Sequence, residues 1–427
     1  MTKLLDYHST IFFRILILIL FISVFLTTFS NAATRTVTNL NNSGPGSLRD
    51  IIDNVANPGD DIIFDQSIAG GTIILTGGVL LIGIDLTITG PADDPIILDG
   101  NNNTRIMSLF GGANVVLSNL VFQNGTVIGT MNENGGAIGA TAFPFANLEV
   151  NNCTFKNNSV QCTGTSCLAR GGSISSAGGL IIRGSTFENN FTQCTVDNQF
   201  CFARAGAIEH QSQFPLVLEN NTICDNEVRC IGIGSSTCEL EGGALYVDND
   251  LSTMNNNTFS DNNILCNSQT CTLLGSTIFV RDQTSAAPNV LNTIIDNNPG
   301  VSVPNCAGTI VNNGNNIQFP GNSCGGTIAT ADPRLGPLTD NGGITDTKAI
   351  GFDSPAFNSG NNATCLDIDQ RGISRPQDII CDIGSYEFIP VLIVKNVPTL
   401  STWGLIATAG ILGLVGYMVI RRRKLTA

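Results

Sequence analysis

Apolar positions in this chain recur at a fixed long interval. Between about residues 119 and 285 one unit returns: Asn-x-x-Phe-x-x-Asn, a short gap, a Cys pair, then Gly-Gly-Ala-Ile. Its front apolar residue is Phe122, Phe155, Phe187, Ile223 and then Phe259. The one behind the Gly pair is Ile138, Ile174, Ile208, Leu245 and then Ile278. A period of this size marks stacked units, each too small to bury its apolar face alone. Within a unit the apolar runs are short and β-rich, such as Ile62-Ile63-Phe64, Thr72-Ile73-Ile74-Leu75 and Asn114-Val115-Val116-Leu117, and Gly, Asn and Asp break them. No helical period persists over 60–325. Three short strands and three turns per unit predict one coil of a parallel β-helix, right-handed by the chirality of parallel crossovers.

The corners carry their own chemistry. Three places on from the front apolar residue stand Asn158, Asn190, Asn226 and Asn262. Asn tolerates the left-handed backbone of a tight corner, and stacked amides can bond each other along the axis. The many Asn-x-Ser/Thr triplets therefore read as corner and ladder chemistry rather than as glycosylation sites. Ahead of the array, Ser47-Leu48-Arg49-Asp50 has capping-box spacing and opens a predicted helix, Leu48 to Val55, with Leu48, Ile51, Ile52 and Val55 on one face. Asn57-Pro58-Gly59 stops it. One amphipathic helix there would cover the open end of the array.

The two ends of the chain point outward from the cytoplasm. Lys3 and Arg14, an apolar run Ile11 to Phe29, and Ser30-Asn31-Ala32 read as a leader cleaved after residue 32. At the other end Val397-Pro398-Thr399-Leu400-Ser401-Thr402-Trp403-Gly404 leads into apolar Leu405 to Ile420 and then Arg421-Arg422-Arg423-Lys424. The apolar run predicts a transmembrane helix over 404–420, with the basic cluster on the cytoplasmic side. Motif, helix and basic stop together resemble the Pro-Thr-Leu (IPTL) type of sorting signal on exported Gram-negative proteins, although Val397 stands where Ile is usual and Thr402 where Glu is usual. The resemblance implies recognition of Val397, Pro398, Thr399, Leu400 and Trp403 by an exosortase-type membrane protease. A plain C-terminal anchor is the alternative.

Charge and cysteine content fit export. The formal net charge is −14. Removing Lys3, Asp6 and Arg14 with the leader takes it to −15, and removing the four basic tail residues takes it to −19. Such a surface repels nucleic acid and anionic lipid. It would suit Ca²⁺, yet no loop has EF-hand or RTX ligand spacing, so no cofactor is expected. Fourteen Cys in an exported chain read as disulfides. Four local pairs fall in the same long turn of successive units: Cys162/Cys167, Cys194/Cys201, Cys230/Cys238 and Cys266/Cys271. Cys306/Cys324 and Cys365/Cys381 are further pairs, and Cys153 and Cys224 are left over, too far apart to bridge.

Past Gly325 the repeat stops. Asp332-Pro333-Arg334-Leu335-Gly336-Pro337, Ser354-Pro355-Ala356-Phe357, Asp369-Gln370-Arg371-Gly372 and Cys381-Asp382-Ile383-Gly384-Ser385-Tyr386-Glu387 closely resemble the choice-of-anchor Q module that closes exported β-helix proteins ahead of a sorting tail. The resemblance implies fold and location and carries no defined activity. The expected layout is a leader over 1–32, a cap over 33–64, repeats over 65–325, the closing module over 326–390, and linker plus sorting signal over 391–427.

Catalytic motifs are sparse. Hydrolases of this fold pair two or three carboxylates on adjacent coils. Their usual Gly-His-Gly and Arg-x-Lys are missing from the repeats. His210 shares a column with Ala140, Ser176, Val247 and Val280, which predicts an inward, satisfied core imidazole. Asp60-Asp61 and Asp93-Asp94 border Pro and Gly and read as turn residues. Arg170, Arg204 and Glu241 stand ahead of the Gly pair on three successive coils and could line a groove for an anionic glycan. The outward column Gly139, Ser175, Glu209, Tyr246, Phe279 places two aromatics one coil apart, open to a sugar face or a partner unless a long turn covers them. Tyr246, Phe279, Glu209, Arg170 and Arg204 are thus the candidate ligand contacts. The expected role is a surface-displayed, non-enzymatic binding, adhesion or structural protein. The alternative is a polysaccharide-active enzyme on acidic glycans, which an Asp cluster on adjacent coils would favour.

Intact-mass measurement of the cell-envelope protein tests the processing. The mature chain is expected to start at Ala33 and to have lost the segment beyond about Thr399. An unclipped C-terminus leaves only the plain anchor.

Overall fold

The computed structural model describes residues 32–248, 252–281, 287–297, 303–390 and 401–424. The leader and the Val397–Leu400 part of the sorting motif lie outside the described residues. The chain coils into a parallel β-solenoid with three faces. Two are ten-stranded sheets and the third has eight strands, each strand pairing with its equivalent one coil on. Ile138, Ile174, Ile208, Leu245 and Ile278 pair in unbroken register on the third face, all with no exposed surface. On the second face Phe122, Phe155, Phe187, Ile223 and Phe259 form a matching column. The rings of Phe122 and Phe155 stack at 4.7 Å, and those of Phe155 and Phe187 at 4.6 Å, which is the strand spacing itself. The repeat period of the sequence is therefore the circumference of one coil.

The Asn column forms a hydrogen-bonded ladder. Asn158 Nδ2 donates to Asn190 Oδ1, Asn190 to Asn226, and Asn226 to Asn262, at 2.9–3.0 Å. Each amide also donates to a main-chain carbonyl of the coil before, and all four residues are fully buried. The left-handed backbone sits one place earlier than the column: Asn157, Asn189, Asp225 and Asp261 have φ of 54–57°. The two tasks assigned to one Asn are thus divided between neighbours. A second ladder runs through the corner between the first and second faces, where Asn221 Nδ2 donates to Asn257 Oδ1 at 3.0 Å. Cys153 and Ser185 hold the equivalent place below it, joined by main chain to side chain.

The predicted helix forms over Leu48–Val55, with Ser47 Oγ accepting from the Asp50 amide at 3.2 Å. Its last turn is widened, closed by the Ala56 amide on the Ile51 carbonyl. That turn rotates Val55 off the buried stripe, so Val55 is 41% exposed while Leu48, Ile51 and Ile52 are buried. Asp60, read as a turn residue, is instead a buried clamp. It accepts from the amides of Ala33 and Asn57 and pairs with Arg35 at 2.7 Å. Those hydrogen bonds hold its carboxyl down at about 2.

The long turns between the second and third faces do not lie loose. They extend into two further five-stranded parallel sheets, which pack on each other as a fin. The fin has its own core, built on Val160, Ala169, Ala203, Val228, Leu240 and the cysteines. Cys162, Cys194, Cys230 and Cys266 pair in register on one sheet, and Cys167, Cys201, Cys238 and Cys271 on the other. Each bridge joins the two strands of its own turn, with Cα atoms 5.7–6.3 Å apart. Cys306–Cys324 and Cys365–Cys381 are also bonded, and Cys153 and Cys224 are free and buried.

Residues 332–388 fold back as a strap along the outer side of the second face. Outward Thr186, Thr222 and Thr258 receive it: Gln370 Nε2 donates to Thr186 Oγ1, Thr222 Oγ1 donates to Gln370 Oε1, and Ser385 Oγ to Thr258 Oγ1. Arg375 and Glu387 pair inside the strap at 2.8 Å, each side chain 1% exposed. The C-terminal helix spans Thr402–Lys424 and is long and apolar enough over Thr402–Arg422 to cross a membrane. It begins two residues earlier than expected and runs into the basic cluster.

Asn226→Ala removes a ladder rung and strands its neighbours' donors and acceptors. The expected loss is about 1–3 kcal/mol in denaturant unfolding. A change within about 0.3 kcal/mol would show the ladder to be energetically idle.

Candidate functional site

The five candidate ligand contacts come together, with the acid and the aromatics buried and the two arginines half-buried over them. Glu209 and Tyr246 are completely buried and Phe279 is 9% exposed, so the expectation of an open aromatic face is corrected. Arg170 and Arg204 end strands of the fin, and the chain then bends at Gly171-Gly172 and Ala205-Gly206 onto the third face. The bend residue is left-handed, Gly171 at φ +56° and Ala205 at φ +52° on the next coil, and glycine is the usual occupant because a Cβ there crowds the carbonyl three residues on. The bend folds the fin ends over the outward column. Arg170 Nη1 lies 3.6 Å from Glu209 Oε1 and donates to Gln211 Oε1 at 2.9 Å, while the Ser175 hydroxyl donates to Glu209. Arg204 pairs with Glu241 at 2.5 Å and sits 4.7 Å above the Tyr246 ring, which stacks on Phe279 at 5.4 Å. Burial pushes the Glu209 carboxyl up, with Arg170 and Ser175 opposing. Burial also pushes the Tyr246 hydroxyl up to about 12. Arg170 and Arg204 therefore both have carboxylate partners within the molecule.

His210 is inward and fully buried as expected, with Nε2 2.8 Å from the Phe214 carbonyl. Its Nδ1 has no hydrogen-bond partner among the described residues, and burial depresses its pKa to about 4, so the ring is neutral. The sulfurs of Cys201, Cys230 and Cys238 have metal-like proximity but belong to two stacked disulfides.

Open clefts lie elsewhere. One of about 660 Å³ separates the first face from the strap, between Arg183, Glu219 and Asn220 on one side and Leu366, Ile368 and Arg371 on the other. Two more run along the solenoid axis on the fin side of the second face. The first, about 460 Å³, is lined by Asn157, Asn189, Asp225, Asp261 and Arg229. The next, about 490 Å³, is lined by Asp261, Asp296, Asp332, Arg334 and Lys348. Asp261 lines both, and along the first Asn157, Asn189, Asp225 and Asp261 recur once per coil, which makes that cleft an axial groove.

The far end of the groove holds a polar network. Lys348, from the strap and 7% exposed, donates to Asp261 Oδ2 at 2.5 Å and to Ser260 Oγ at 3.3 Å. The Ser260 hydroxyl lies 2.8 Å from Asp261 Oδ2 and 3.4 Å from Asp296 Oδ2. The two carboxyls answer differently. Burial penalises Asp261, but its hydrogen bonds from Lys348 and Ser260 outweigh this and hold it below the usual range. Burial, with the charges of Asp261 and Asp332, raises Asp296 to about 7. These residues were missed in the sequence. The available signal was that Asp225 and Asp261 replace Asn157 and Asn189 at the left-handed corner, while Asp296 stands one coil above Ser260.

A family model for the IPTL-CTERM motif matches residues 397–424. No curated protein matches the chain. Among solved structures, the crystal structure of pectate lyase Pel9A aligns over 84% of this chain and 97% of that one, at 13% identity and a TM-score of 0.35. That is a distant likeness. The chain is a parallel β-solenoid with a C-terminal IPTL sorting signal, and motif and apolar helix fit an exported, surface-anchored protein.

Tyr246→Ala empties a fully buried site. It is expected to cost about 3–5 kcal/mol in chemical unfolding. A variant of unchanged stability would return Tyr246 to the surface.

Proposed function

We propose that this protein is displayed at a Gram-negative cell surface and binds a linear glycan lengthwise in the axial groove. An exosortase-type protease reads its tail, and the C-terminal helix holds it in the membrane until then. The observation that carries the glycan reading is the groove's one-coil repeat of Asn157, Asn189, Asp225 and Asp261 with Arg229 beside it, which offers amides and carboxylates in a row to a polymer of regular hydroxyl pattern. The disulfide column of the fin suits a wall that must keep its shape outside the cell. The carboxylates Asp225, Asp261 and Asp332 repel uronates, so the favoured glycan carries no carboxyl groups.

Full-length protein on a glycan array tests this. Retention of uncharged chains over pectin or alginate is expected, with at least a tenfold loss in Asp225→Ala/Arg229→Ala. Binding that ignores this double change would place the ligand elsewhere.

A further inference from the structure

The bridges of the fin are alike in chemistry and differ in cover. The first and the last, Cys162–Cys167 and Cys266–Cys271, close loops of equal length, with a sequence separation of 5 in each. Their turns, Thr163-Gly164-Thr165-Ser166 and Asn267-Ser268-Gln269-Thr270, are both uncharged. A further fin strand lies beyond the first bridge, with Gly129 opposite Cys162, and both its cysteines are buried. The two middle bridges are buried between their neighbours. The last has cover on one side alone. Its strands, Asn263–Asn267 and Thr270–Leu274, end the two fin sheets among the described residues. Cys271 is exposed and Cys266 half-buried, beside exposed Leu265, Asn267 and Thr272.

We infer that Cys266–Cys271 is a thiol-exchange site, where a small external thiol becomes attached covalently and reversibly through Cys271. The incoming thiol loses its proton to solvent, and its thiolate attacks Cys271 Sγ. A new sulfur–sulfur bond forms there as the Cys266–Cys271 bond breaks. The bonding pair leaves on Cys266 Sγ, which takes up a proton from solvent. The thiol is thereby oxidised to a mixed disulfide and Cys266 reduced, so the thiol is the sole co-reactant. Cys266 remains across the turn, its Cα 6.3 Å from that of Cys271, within bridging distance. Its thiolate can return to Cys271 Sγ and expel the ligand. The buried bridges are shut to the same attack, because a thiolate must reach the sulfur it displaces.

Full-length protein in detergent is held at about pH 8, where a thiolate fraction exists, with millimolar reduced glutathione as the probe. Samples are quenched in acid, alkylated and peptide-mapped. Glutathione is expected on Cys271, with a free thiol at Cys266, about tenfold or more sooner than any opening of Cys162–Cys167. In denaturant the two bridges, having equal loops, are expected to open at rates within about threefold of each other. In Cys266→Ser, Cys271 is loaded with oxidised glutathione. After free glutathione is removed and the fold has been checked by circular dichroism, that adduct should outlast the wild-type one by about tenfold or more, since no thiol stands opposite to expel it. Equal native rates at the two bridges overturn the proposal, as does a first attack at Cys365–Cys381 or an adduct on Cys266. A rate difference that persists in denaturant also overturns it, because cover would then not be its cause.

Discussion

The structure depends on satisfying buried corners. A solenoid coil turns through its corners inside the protein, where an unpaired peptide group costs free energy that no packing returns. One coil cannot supply the partners for its own corner. The Asn158–Asn262 ladder solves this by lending each amide to the carbonyl below and the amide above. A residue of that shape must therefore recur once per coil, in register. Everything stacked beside it inherits the register, including the Phe column, the third-face Ile column and the disulfides.

That inheritance explains the fin. Once the coil fixes the start and finish of each long turn, successive turns are held one strand spacing apart. They then pair as sheets rather than dangling as loops. Alternation along those strands directs Val160 and Cys162 inward and Gln161 outward, and gives the fin a core. The bridges join strands that the solenoid has already aligned. By the entropic account such short loops add a few kcal/mol each at most, and their larger effect is to keep the fin closed in an oxidising medium.

The fin and the strap then redistribute the charges. By folding over the third face, the fin takes Arg170 and Glu209 out of water together, which is tolerable only because they face each other. By folding along the second face, the strap brings Lys348 beside Asp261. Buried beside the charges of Asp261 and Asp332, Asp296 has its carboxyl raised to about 7. A carboxyl that stays protonated near neutrality follows from that crowding rather than from any motif.

Periodicity alone determined the solenoid, its two apolar columns, the Asn ladder and the four fin bridges, because each rests on a residue type that must recur at one interval. The tail was equally legible, since a short motif, an apolar run and a basic stop are adjacent in the chain. The fate of outward residues was not. Tyr246 and Phe279 alternate outward as expected, yet whether outward means solvent depends on what folds over them, and no local pattern encodes that. The same holds for Asp261, Asp296 and Lys348, which are separated by 35 or more positions in sequence and meet only when the coils stack and the strap returns. Columns along the axis are a property of sequence period. Contacts between the solenoid and what covers it are decided by tertiary packing, because the burial of each partner depends on the other.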